Sequence, residues 1–137
     1  LFNMLALFVF GQSIEKVAGA LWFIRYYFIC VIAAALTHIL TTLFLGEIAP
    51  KPIIGASGGA FGLLLAYAIF FPEKRLMIIF LPIPIKSKYF VALYGLMELL
   101  LGVAGTTKGI AHFAHLGGLL GGAIMLRAVI LKRRDTI

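Results

Sequence analysis

Apolar runs of bilayer length constrain this chain more than any other feature. A helix needs about 20 apolar residues at 1.5 Å rise to cross a hydrocarbon core of about 30 Å. Trp22 to Leu45 is such a run, and its only charged residue is Arg25. Leu1 to about Phe10 supplies half a span, and Ile53 to Phe71 a third segment containing Gly55, Gly58, Gly59 and Gly62. Tyr89 to Val103 and Ile110 to Leu131 complete a set of five. With 63% hydrophobic residues and 12% charged ones, the chain is too apolar for a water-soluble domain of this size. The expected fold is all-α, a polytopic transmembrane helix bundle of about five membrane segments. Short connectors without a Ser/Pro-rich linker make residues 1–137 one domain. The stretch Leu76 to Ile85, interrupted by Pro82 and Pro84, is too short to span; it is expected at the interface or as an extension of the fourth helix.

The cations set the orientation. Lys16, Arg25, Lys74, Arg75, Lys86, Lys88, Arg127, Lys132, Arg133 and Arg134 fall on one side, and only Lys51 and Lys108 on the other. Cytoplasmic connectors are enriched in Lys and Arg, so the C-terminus is expected in the cytoplasm, with the cell membrane as the location. The net charge of +7 serves topology, because the basic residues punctuate apolar segments instead of forming a nucleic-acid patch. Partners are therefore lipid and other membrane proteins, with no nucleic acid. The lone Cys30 is a packing residue. The chain opens inside an apolar run, which gives the expectation that Leu1 is not a biological N-terminus.

Gly46 to Pro52 and Ala104 to Gly109 become external loops, so the third and last helices both start at the outer face. Gly55-Ala56-Ser57-Gly58 puts a serine at the start of one, among residues small enough to let substrate or backbone approach its hydroxyl. Ala114-His115-Leu116-Gly117-Gly118, followed by Gly122, puts a histidine one and two turns from glycines on a single face of the other. Gly55, Gly58, Gly62, Gly118 and Gly122 are also the residues that let membrane helices pack closely. If Phe71 and Leu131 mark the inner boundary, Ser57 and His115 stand about 21 and 24 Å above it. A serine and a histidine level with each other inside a membrane make a candidate nucleophile and base. A packed structural histidine is the alternative.

Gly55-x-Ser57-x-Gly59 also matches the nucleophile elbow of soluble hydrolases, but that elbow needs a preceding strand and an acid between serine and histidine. The only Asp is Asp135, in the tail, which leaves Glu47 or Glu98 as acids able to approach from the outer half. A Ser57–His115 dyad is the simpler expectation. His112, one turn from His115, reads as a solvated or loop-capping residue, Glu98 as a hydrogen-bonding residue of the bundle, and Glu15 as part of the cytoplasmic turn. His38 reaches a similar depth, so a metal site of His38, His112 and His115 is conceivable. No metal and no cofactor is expected.

These motifs resemble the rhomboid intramembrane proteases, whose Gly-x-Ser-Gly and later Ala-His-x-x-Gly-x-x-x-Gly patterns match Gly55 to Gly58 and Ala114 to Gly122. Leu1-Phe2-Asn3, with Gly11, Glu15 and Gly19, looks like the second helix of that family and its exit turn. The resemblance implies Ser57 as nucleophile, His115 as base and Asn3 as an oxyanion donor. It also implies a further donor histidine just before Leu1, and a first helix and membrane-embedded loop that precede this stretch. Where the family often has Tyr, this chain has Phe61, which can stack on His115 but cannot donate a hydrogen bond. The implied activity is serine endopeptidase cleavage of transmembrane protein substrates near the outer face. A non-catalytic rhomboid-like binder of helices and a small transporter are the alternatives.

Overall fold

The computed structural model describes residues 2–45, 56–78, 81–104 and 112–134. Helix α1 (Phe2–Ala6) runs through a π-helical turn (Leu7–Gly11) into α2 (Gln12–Ala18). Gly19 alone then turns the corner at φ 88°, with its N–H on the Glu15 carbonyl at 2.8 Å. Side chains rarely tolerate that left-handed φ, so the corner depends on glycine. The Gly19 carbonyl accepts the Phe23 N–H at 3.0 Å and starts α3 (Ala20–Leu45). Helices α4 (Ala56–Phe70), α5 (Ser87–Ala104) and α6 (His112–Arg134) follow, with strands β1 (Arg75–Ile78) and β2 (Leu81–Lys86) between α4 and α5.

The helices follow the apolar runs, and among the described residues α3 and α5 are long and apolar enough to cross a membrane. In the Leu76 to Ile85 stretch the alternative of a helix extension is not what forms: β1 and β2 pair antiparallel, with Arg75 facing Lys86 and Leu76 facing Ile85. Pro82 and Pro84 explain the outcome. Proline removes a helical hydrogen bond and pushes the preceding residue, Leu81 or Ile83, into extended backbone. A two-stranded sheet has an outer edge on each strand where a missing N–H costs little. Helix α5 consequently begins at Ser87, which caps the junction: its Oγ donates to the Phe71 carbonyl at 2.5 Å and its N–H to the Lys74 carbonyl at 2.8 Å. Glu73 bridges Lys86, at 2.6 Å, and Lys88 beside it.

Helix α4 is the central element, packed against α1, α3, α5 and α6. Its residues from Gly58 to Leu63 are all buried. Glycines bring the helices together: a side chain on Gly118 would run into the Gly58 carbonyl, one on Gly62 into Cys30, and one on Gly122 into the Tyr26 hydroxyl. That hydroxyl donates to the Gly62 carbonyl at 2.7 Å, fastening α3 to α4. Gly55 lies outside the described residues.

The surface is inverted relative to a water-soluble bundle. Phe28, Ile32, Leu36, Leu43 and Phe44 on α3 and Leu93, Leu96 and Leu100 on α5 point outward, while Glu98 and His112 are buried. Apolar surface on this scale, wrapped around buried ionisable groups, suits hydrocarbon and not water.

Candidate active site

Ser57, the second residue of α4, and His115, in the first turn of α6, meet because glycine lets these helices touch beside them, at Gly58 and Gly118. His115 Nε2 lies 3.2 Å from Ser57 Oγ. The level estimated from residue counts thus corresponds to a hydrogen bond.

Besides Ser57, Phe61 and Glu98 contact the imidazole. Phe61, one turn after Ser57, stacks on it with centroids 4.2 Å apart and planes 10° from parallel. Tyr94 of α5 backs Phe61 at 5.0 Å. On the far side of the ring, Glu98 Oε2 lies 3.1 Å from His115 Nδ1 and 2.6 Å from His112 Nδ1. With Glu98 ionised, its carboxylate can only accept, and both Nδ1 atoms are the donors. His115 Nε2 is then left as an acceptor facing the serine hydroxyl. The His115 side chain is 13% exposed and that of Glu98 6%, which keeps the cluster largely out of water.

Asn3 is half-buried on α1, a helix that packs against α4. Among the described residues its amide has no hydrogen bond to His115, and no geometry assigns it to an oxyanion. Glu47 lies outside the described residues. His38 stays apart, its Nε2 3.4 Å from Thr42 Oγ1, so the three-histidine cluster does not form and Glu98 stands in its place. Ligand atoms of Glu98, His112 and His115 lie within 4.8 Å of one another. They suit zinc by type, but ligands at about 2.1 Å from a tetrahedral ion stand roughly 3.4 Å apart. The 2.6 Å contact is closer than that and is a hydrogen bond.

Sequence reading put Glu98 in the bundle without seeing its partners. The signal was Gly95 and Gly102, three residues before and four after it on one helical face. In the structure Gly95 faces Leu119, and Gly102 faces His112 and Phe113. That glycine stripe marks the α6-facing side of α5, and Glu98 sits in its middle.

The Rhomboid domain family model matches residues 1–132. The chain belongs to the rhomboid family. It is 30% identical over 122 residues to Rhomboid protein 1, mitochondrial, of Saccharomyces cerevisiae, an alignment covering 89% of this chain. The chain spans only 35% of that relative's length. No solved structure matches it. Rhomboid membership and the outward apolar surface together make this an integral membrane protein.

Proposed function

We propose that this rhomboid chain is the core of an intramembrane serine endopeptidase that cleaves transmembrane helices near the outer face. The observation that carries the proposal is the 3.2 Å contact between His115 Nε2 and Ser57 Oγ, made by two helices whose mutual approach depends on glycine. His115 takes the Ser57 proton as Oγ attacks the scissile carbonyl carbon. The tetrahedral intermediate collapses when His115 returns that proton to the leaving amine. Water, deprotonated by the same nitrogen, then attacks the acyl-serine, and His115 returns the proton to Ser57 Oγ as the acyl–oxygen bond breaks and the new carboxyl terminus leaves. Backbone N–H groups in the first turn of α4, together with Asn3, are the proposed donors to the oxyanion. Phe61 holds the ring by stacking while leaving both nitrogens in use. A continuous substrate helix shields its own carbonyls, so the substrates are helices that unwind locally before cleavage.

Five membrane segments, read from the apolar runs, complete the proposal with a cytoplasmic C-terminus, read from the cation asymmetry, and a cell-membrane location. Fractionation tests the location, and recovery with mitochondria would replace the cell membrane. The activity test uses the intact protein in detergent or vesicles with a labelled transmembrane substrate. Ser57→Ala and His115→Ala are expected to abolish cleavage while remaining folded, and Ser57→Ala to lose fluorophosphonate labelling. Cleavage by either variant would refute the reading in favour of a non-catalytic or transport role for the polar level.

A further inference from the structure

Glu98 occupies a place that the two-residue mechanism does not use. The imidazole of His115 has a serine hydroxyl at one nitrogen and a buried carboxylate oxygen at the other, 3.2 and 3.1 Å away. We propose that Glu98 is the positioning residue of the His115 base, turning the dyad into a Ser57–His115–Glu98 arrangement embedded in the membrane. This rests on the protease reading and extends it to how the base is held.

The first consideration is tautomeric. A neutral imidazole carries one proton, and only the Nδ1–H form leaves Nε2 able to accept from Ser57. With no acceptor at Nδ1, the proton can reside on Nε2, where it blocks the base. An acceptor-only carboxylate at Nδ1 removes that state and fixes the ring's rotation. The second consideration is charge. When His115 takes the serine proton it becomes a cation in a low-dielectric setting, where an adjacent carboxylate is worth more than it would be in water.

The third consideration is cost. A buried glutamate, on a helix long and apolar enough to cross a membrane, is expensive to keep. Here it is retained with two N–H donors. The shorter bond, from His112 at 2.6 Å to the same Oε2, anchors the carboxylate beside His115. His112 thereby acts one step further out than Glu98.

The test compares Glu98→Gln and Glu98→Asp with the unaltered intact protein, with every rate expressed per folded molecule. Glutamine keeps the shape but removes the charge, and its NH2 can donate to Nδ1 and favour the wrong tautomer. It is expected to lower kcat by about 10²–10⁴-fold, the scale of the corresponding change in a soluble triad. KM should stay within about threefold, because no substrate contact is touched. Fluorophosphonate labelling of Ser57 should slow in proportion to kcat. Aspartate restores the carboxylate on a shorter stem and is expected to recover at least about tenfold over glutamine. A kcat for Glu98→Gln within about threefold of the unaltered protein, or a loss confined to KM or to the folded fraction, would overturn the proposal. Ser57→Ala separates the two readings. If it still cleaves, the protease reading fails whatever Glu98 does; if it is dead while Glu98→Gln is fully active, only the positioning role fails.

Discussion

Replacing Gly118 with alanine tests the idea that helix contact sets the catalytic distance. A Cβ on Gly118 would meet the Gly58 carbonyl oxygen directly, and would lie 2.8 Å from the Gly58 carbonyl carbon and 3.0 Å from its Cα. Ordinary contact begins at 3.4 Å, and backbone cannot rotate aside as a side-chain tip can. The oxygen contact is the tightest, so helices α4 and α6 must separate by about 1 Å at this level. Ser57 precedes Gly58 by one residue and His115 precedes Gly118 by less than one turn, so the gap passes to the reacting pair. Their 3.2 Å contact would open to roughly 4 Å, outside hydrogen-bond range.

Overpacking costs about 1–3 kcal/mol. Alanine returns up to about 1 kcal/mol in helix propensity, so the net change in stability is modest. Activity is the sharper readout, since a misplacement near 1 Å costs about 10²-fold in rate. The assay is cleavage of a labelled transmembrane substrate alongside thermal unfolding in the same detergent. Gly95→Ala is the control: its Cβ meets only the tip of Leu119, at 3.3 Å, and activity should be nearly unchanged. A Gly118→Ala protein with unaltered kcat would refute the reasoning.

Tyr26→Phe removes the buried donor to the Gly62 carbonyl; because that carbonyl keeps its helical partner, unfolding should become easier by about 1 kcal/mol, and an unchanged midpoint would contradict the bond's role. Hydrogen bonds from Lys86 and Lys88 hold the Glu73 carboxyl down at about 2, below its usual 4.5. A depressed carboxyl stabilises fully above the unfolded value and loses that contribution as pH falls from about 4.5 to 2. Thermal midpoints measured across that window should fall slightly more for the unaltered protein than for Glu73→Gln, and only slightly because the pair is exposed. Strong chelators should leave cleavage unchanged, and inhibition that zinc reverses would instead assign Glu98, His112 and His115 to a metal.

The legible parts of this molecule were those governed by length and spacing. Run lengths gave the helices, and the counts from Phe71 to Ser57 and from Leu131 to His115 gave two levels that the structure joins by a hydrogen bond. The glycine spacing of α6 announced a helix lying very near, though not that Gly58 would be the residue touched. Pairing and rotation were less legible. The hairpin needed two short strands to find each other, and neither Arg75–Ile78 nor Leu81–Lys86 alternates strongly enough to declare itself. The partners of Glu98 depended on the rotation of α5 about its own axis, which residue counts along the chain leave undetermined. Gly95 and Gly102 held that information in a stripe too sparse to stand out against an apolar run.

The π-helical turn at Leu7–Gly11 works as a phase shifter. A π turn carries one more residue than an α turn over nearly the same rise, so everything upstream is rotated by about 100° relative to an uninterrupted helix. Downstream, the phase of α2 is pinned by the single-residue corner at Gly19, which has no slack to absorb a change. The face that Asn3 presents is therefore set by this inserted residue as much as by Asn3 itself. Deleting one residue from Leu7–Gly11 should leave α2 and the Gly19 corner in place while turning Asn3 by about a quarter revolution. If Asn3 serves the oxyanion, the deletion should cost as much activity as Asn3→Ala, and full activity in the deleted protein would show that its orientation is immaterial.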